Sequence, residues 1–152
     1  MTGGRPFTTF NFKVQLVLEG DAEPVCDAEF SECDGLELNL EPKTIREGGN
    51  NGRAIHLAGT TSYGQLTLKR GMNRDFGLWR WFERVQGDRS LRASGEVALL
   101  SSDRSREDVR FALTGCLPTK LKAPALNARD GLVAIEEMQV AYETLMLKAP
   151  GA

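Results

Sequence analysis

The sequence predicts a mainly β fold, an antiparallel β-sandwich or barrel with one packed α-helix, and three observations carry that prediction. Apolar side chains recur at every second position in most of the ordered-looking segments, the pattern of strands with one face in a core. Only one stretch, from Asp75 to Gly87, changes to the i, i+3, i+4, i+7 spacing of an amphipathic helix. Turn formers such as Gly20–Pro24, Pro42 and Gly71 punctuate the alternating runs.

Taken in order, Phe10, Phe12, Val14, Leu16 and Leu18 alternate with Asn11, Lys13, Gln15, Val17 and Glu19, a half-buried strand that Gly20–Pro24 ends. A second strand is expected over Val25–Ser31, and a third through Leu36, Leu38 and Leu40, closed by Pro42. The loop Arg46-Glu47-Gly48-Gly49-Asn50-Asn51-Gly52 follows. Its three glycines and two asparagines tolerate φ > 0, and it is longer than the two-residue turn a tight hairpin needs. Ile55 and Leu57 mark a short extended piece before Ala58-Gly59-Thr60. In the next strand Leu66 and Leu68 face one way, Gln65, Thr67 and Lys69 the other, and Gly71 stops it.

Asp75 is placed to cap the helix, whose core face is Leu78, Trp81, Phe82 and Val85, with Phe76 and Trp79 beside it and Gly87 at its end. Gly77 weakens the first turn. Two tryptophans at this spacing read as a packing plug on the sheet. Leu91, Ala93, Gly95, Val97 and Leu99 form the next strand, and Val109, Phe111 and Leu113 its neighbour across the charged tip Ser101–Glu107. A Pro-, Lys- and Ala-rich loop is expected over Leu117–Gly131. A last strand covers Leu132–Leu147, where a parity slip at Glu136-Glu137 predicts a bulge. The count is seven or eight strands and one helix in a single domain, 1–152, without internal repeats.

The composition sets limits on function. With 152 residues, 41% hydrophobic and 26% charged, the chain can bury a core without staples. No run approaches the roughly 18 apolar residues of a membrane span, so no stable membrane insertion of the monomer is expected. Met1–Pro6 lacks the apolar segment of a signal peptide, which predicts synthesis in the cytoplasm. Cys26, Cys33 and Cys116, with one histidine, do not make a zinc set and read as reduced thiols. Residues 1–50 carry four basic and ten acidic side chains, whereas residues 69–92 carry seven basic and three acidic ones. Specific nucleic-acid binding is not expected from so short a basic segment in an acidic chain. A self-complementary surface between copies is.

No catalytic constellation is present. His56 lacks a partner motif, and G-x-S-x-G, H-E-x-x-H and C-x-x-C do not occur. Glu136 and Glu137 are adjacent, so on a strand they point to opposite faces. The glycine loop continues into Arg53-Ala54-Ile55 instead of Lys-Ser or Lys-Thr and a helix, so it is not a phosphate cradle. No catalytic residue, cofactor or metal is assigned.

Several segments together resemble the tube proteins of contractile phage tails and of phage-tail-like contractile injection particles. They are Phe10-Asn11-Phe12-Lys13-Val14, the turn Phe30-Ser31-Glu32-Cys33-Asp34-Gly35-Leu36-Glu37, the loop Arg46–Gly52, and Leu66-Thr67-Leu68-Lys69-Arg70-Gly71 followed by Leu78-Trp79-Arg80-Trp81. Pro118-Thr119-Lys120, Leu126-Asn127-Ala128, Val133-Ala134-Ile135-Glu136 and Tyr142-Glu143 resemble the closing segment; His-Glu is common where Tyr142-Glu143 stands.

The resemblance implies a tail-tube fold whose subunits form hexameric rings stacked into a hollow tube, which sheath contraction drives into a target. It implies sheath, baseplate and terminator partners, an assembled particle as the place of action, and a lumen that could hold cargo. Residues 46–62 would be the extended inter-ring loop, with Arg46, Glu47, Gly48, Gly49, Asn50, Asn51 and Gly52 at the contact. The charge pattern adds an expectation that Glu19–Glu41 of one copy faces Lys69–Arg92 of another, with Lys69, Arg70 and Arg74 at that contact.

The same motifs also fit the ring that initiates the tube at the baseplate; the short termini favour the repeated subunit. From other classes stand a small ligand-binding β-barrel stacking its ligand on Trp79 and Trp81, and an enzyme built around His56.

Overall fold

The computed structural model describes residues 5–9, 11–46, 54–129 and 131–149. Among them are ten strands and one helix: β1 (Phe12–Leu18), β2 (Cys26–Ala28), β3 (Glu32–Asp34), β4 (Leu38–Arg46), β5 (Ala54–Tyr63), β6 (Gln65–Gly71), α1 (Gly77–Gly87), β7 (Ala93–Leu100), β8 (Glu107–Lys122), β9 (Ile135–Ala141) and β10 (Thr144–Lys148). All pairings are antiparallel. Seven strands follow one path, β2-β1-β7-β8-β9-β6-β3, with β10 also on β8, while β4 and β5 pair only with each other.

The alternation read from the sequence sets the core. Val14, Leu16 and Leu18 of β1, Leu66 and Leu68 of β6, and Met138 and Val140 of β9 are all buried, each at every second position. They meet Leu78 and Trp81 of α1 and Leu113 and Cys116 of β8 in one hydrophobic cluster. Burying such side chains stabilises by about 1.5–3 kcal/mol apiece. Phe82 and Val85 are half-buried against the same cluster, so all four residues expected on the helix's core face pack inward.

The sixteen-residue β8 joins the two halves of the sandwich. Its first part pairs with β7 and β10, and its last part pairs with β9. It bends at Gly115, where φ is +63°, and its register shifts between Pro118 and Lys120. The loop expected over Leu117–Gly131 is therefore strand as far as Lys122. Pro118 lies where the ladder already slips, so its missing N–H does not end the strand.

Other boundaries differ for related reasons. The strand expected over Val25–Ser31 splits into β2 on β1 and β3 on β6, because the chain crosses between layers at Phe30, whose ring is buried at the crossing. Pro42 does not close the third strand; it sits inside β4 at a register shift between Leu40 and Pro42, with β5 running the full length opposite. No bulge occurs at Glu136-Glu137, because Arg70↔Glu136 and Lys69↔Glu137 continue the β6–β9 ladder without a break. The parity change comes at Tyr142-Glu143, where the chain leaves β6 and turns to pair as β10 with the first part of β8.

The helix starts at Gly77, with Phe76 at the N-cap position instead of Asp75. Asp75 still helps, since its Oδ1 accepts the Gly77 N–H at 3.0 Å. Glycine is required at 77 by close approach: a Cβ there would lie 2.0 Å from the Val25 carbonyl oxygen.

Candidate assembly surfaces

β4 and β5 form a ribbon about 30 Å long that pairs with no other strand among the described residues. Its large apolar side chains Leu38, Leu40, Ile45, Ile55 and Leu57 are 37–59% exposed. The strand expected through Leu38 and Leu40 is present as the start of β4, and both side chains are exposed on it. A two-stranded ribbon is marginal alone in water, and an apolar surface of this kind marks an interaction site. Arg46 ends β4; Glu47, Gly48, Gly49, Asn50, Asn51 and Gly52 lie outside the described residues. His56 is exposed on β5, with its Nδ1 3.5 Å from Thr44 Oγ1. No acid or nucleophile arrangement surrounds it among the described residues.

The root of the ribbon is held firmly. The buried Tyr142 hydroxyl accepts the Glu37 N–H at 3.0 Å and donates to the Gly35 carbonyl at 2.6 Å. Its ring lies 5.7 Å from that of Tyr63, the last residue of β5. The Gly64 N–H donates to the Glu37 carbonyl at 3.1 Å. Gly35 has φ +101°, and a Cβ there would lie 1.9 Å from the Gln65 carbonyl oxygen. Both ends of the ribbon thus leave the body at one fixed point.

Lys69 and Arg70 are neighbours on β6 and point to opposite faces. Lys69 lies outside, with Nζ 3.2 Å from Glu32 and 3.5 Å from Glu137. Arg70 turns inward and is 2% exposed, which corrects its expected place at a contact between copies. Its Nε donates to Glu136 Oε2 at 2.7 Å, its Nη1 to Asp75 Oδ2 at 3.3 Å, and its Nη2 to the Asp75 carbonyl at 2.9 Å. The other oxygen of Glu136, a residue with no exposed surface, accepts from Trp79 Nε1 at 2.7 Å. The guanidinium also lies 5.2 Å from the centre of the Phe30 ring. This cluster fastens the start of α1 to β6 and β9. The adjacency of Glu136 and Glu137 showed that one must face inward, but not that Arg70 waited there.

Arg74, three residues beyond β6, is exposed. Part of the acidic–basic complementarity is spent within one chain: Lys69 pairs with Glu32, Arg84 with Asp21 at 2.8 Å, and Arg104 with Glu29. The two tryptophans do not form one stacking face, because Trp81 is fully buried, while Trp79 is half-buried with its indole N–H on Glu136.

All three cysteines are free. Burial pushes the Cys26 thiol up to about 11, and those of Cys33 and Cys116 up to about 12, so all stay protonated near neutrality. Among the described residues no cluster of three His, Cys, Asp or Glu could hold a metal. No described helix is long and apolar enough to cross a membrane.

A second apolar surface was not anticipated. The loop after β8 encloses an open cleft of about 730 Å³ with Lys122, Leu126, Leu132, Val133 and Ile135 among its lining. Leu126 is 92% exposed, Leu132 80% and Val133 75%. Leu132 and Val133 lie before the last strand, which begins at Ile135 and not at Leu132 as the alternation predicts.

A sandwich that clamps its helix internally and displays a bare apolar β-ribbon belongs to the class of self-assembling structural subunits. Residues 8–146 match the T4-like virus tail tube protein gp19 family, and the chain belongs to that family. It is 26% identical to a chain of the anti-feeding prophage baseplate, covering 97% of this chain and 98% of that one with a TM-score of 0.82. A chain of the sheath–tube complex of the extracellular contractile injection system PVC is 18% identical over 95% of this chain and 92% of its own, with a TM-score of 0.80. Hcp1 from Flavobacterium johnsoniae shares the fold more distantly, at 13% identity, 90% and 95% coverage and a TM-score of 0.51. No curated protein sequence matches the chain. The expected tail-tube fold is therefore correct.

Proposed function

We infer that this chain is the repeated structural subunit of the inner tube of a contractile phage tail or contractile injection particle. Its rings are hexameric and stack around a hollow lumen. The observation that carries this reading is the unsupported β4–β5 ribbon on a member of the tail tube family. A subunit alone leaves that ribbon's apolar face in water, and contact with other copies removes it. The outer strands of the sheet path, β2 and β3, have three residues each, which limits unwanted edge pairing until neighbours arrive. A head-to-tail contact closes into a ring when its rotation suits.

Contact with a sheath, a baseplate and a terminator follows from this role and is supported by the assemblies in which similar chains occur. The work is mechanical, and no catalytic role is assigned to His56 or to any carboxylate. The segment from Arg46 to Gly52, the outer face of β6 at Lys69, and Arg74 are proposed to contact other copies. The chain is proposed to act within the assembled particle.

A second reading, the tube-initiating ring at the baseplate, is favoured by the higher identity to the baseplate chain, 26% against 18% for the sheath–tube chain. Negative-stain electron microscopy of the purified protein, with its mass in solution, tests both. Six-fold rings that lengthen into tubes support the repeated subunit. Rings that never lengthen support the initiator, and a chain that stays monomeric at high concentration even when a baseplate nucleus is supplied refutes both.

A further inference from the structure

We propose that the cleft lined by Lys122, Leu126, Leu132, Val133 and Ile135 is the seat for the β4–β5 ribbon of a second copy of this chain. This rests on the tube reading and adds to it the surface that receives the ribbon. Three observations carry it.

The first is placement. The ribbon leaves the body at the Gln65 end of β6, where the Gly64 N–H bonds the Glu37 carbonyl. The cleft lies at the Gly71 end, where Gly71 pairs with Ile135 and the Met72 N–H bonds the Ala134 carbonyl. Seven strand residues separate the two, about 20 Å. Donor and receiver thus lie at opposite ends of the same strand pair. A copy that fills its neighbour's cleft leaves its own cleft free for the next, so the contact propagates instead of ending at a dimer.

The second observation is surface chemistry. The cleft presents Leu126, Leu132 and Val133, and the ribbon presents Leu38, Leu40 and Leu57, all exposed in the single chain. Alanines at 123, 125, 128 and 134 line the cleft and let a ribbon's backbone come close. The third is charge. Lys122 on the cleft and Glu41 on the ribbon are both exposed, and neither has an ion-pair partner among the described residues. Glu137, which pairs opposite Lys122 across β8 and β9, is already engaged by Lys69 at 3.5 Å.

The experiment uses the full chain under conditions in which the unaltered protein forms tubes, read by electron microscopy and by the pelleted fraction. Leu126→Asp with Val133→Asp alters only exposed positions, so circular dichroism and thermal melting should be unchanged while the pelleted fraction falls at least tenfold. Lys122→Glu and Glu41→Lys should each weaken stacking, and their combination should restore it. Leu40→Cys and Leu132→Cys, placed on separate copies and mixed, should give a disulfide-linked pair on mild oxidation.

Tubes of unaltered yield from the folded cleft variant overturn the proposal while leaving the tube reading intact. Cross-linking of ribbon to ribbon alone also overturns it, as do normal tubes that merely lose the sheath subunit, since these assign the cleft to another occupant. An unaltered chain that forms no tubes even when seeded on a baseplate nucleus overturns both readings.

Discussion

Replacing Arg70 by Met removes the cation from a carboxylate that has no exposed surface. In the native subunit Glu136 takes the Arg70 Nε at 2.7 Å and the Trp79 Nε1 at 2.7 Å. After Arg70→Met only the indole hydrogen bond remains. Breaking a buried pair from one side costs about 3–5 kcal/mol, because the remaining charge is left without a partner. The loss of the two bonds to Asp75 at the start of α1 adds to the same side. For a domain of this size about 1 kcal/mol corresponds to about 2–4 °C, so a melting temperature lower by about 6–20 °C is expected.

Arg70→Met with Glu136→Gln should recover much of the loss, because the amide oxygen still accepts from Trp79 and no charge is stranded. Urea melts followed by tryptophan emission measure both, and the double-mutant cycle gives the coupling between the two positions. A single variant that costs less than about 1 kcal/mol, or a double variant equal to the sum of its singles, would refute the buried clamp. Reversing Arg70 to Glu therefore cannot test contacts between copies, since misfolding would abolish assembly by itself. Arg74→Glu, on an exposed side chain, is the informative reversal.

Three further outcomes are expected. Tyr142→Phe leaves the Glu37 N–H and the Gly35 carbonyl without the hydroxyl. It should cost about 1–3 kcal/mol and raise hydrogen exchange at Glu37 and Gly64 before the rest of the sheet; uniform exchange would show that the root is not held there. Valine at both Gly48 and Gly49 should leave the melting temperature unchanged but reduce tube yield, and undiminished tubes would remove the requirement for φ > 0 in that loop. The third concerns pH. An unfolded thiol ionises near 9.0, whereas the folded Cys26, Cys33 and Cys116 hold their protons to about 11–12. The native state then binds more protons than the unfolded one, so stability falls as pH rises above about 9. Thiol reagents at pH 8 should label the buried Cys26 and Cys116 of the native chain slowly and those of the urea-unfolded chain fast, and rapid native labelling at these two would contradict their burial.

Much of the fold was legible because burial alternates wherever a sheet has one wet face. The parity of Val14–Leu18, Leu66–Leu68 and the helix face Leu78, Trp81, Phe82, Val85 set the core before any contact was known. The family was legible in short motifs that combine turn glycines with strand ends.

What the sequence could not express was where strands change partners. Pro42 reads as a strand end and Pro118 as part of a loop because proline lacks an N–H, yet both sit inside strands where the ladder slips anyway. The parity change in the last strand was visible, but its cause, a switch from β6 to the far part of β8, depends on residues about thirty positions away.

The assembly surfaces divide the same way. The glycine loop and the apolar run of Leu38 and Leu40 were visible in the chain. Only tertiary structure showed that none of the described residues covers Leu38 and Leu40, which stay more than half exposed. Lys69 and Arg70 read as one basic motif, yet a strand sends adjacent side chains to opposite faces. Lys69 therefore met water and Arg70 met Glu136, because the folded sheet placed a carboxylate behind one face and solvent before the other.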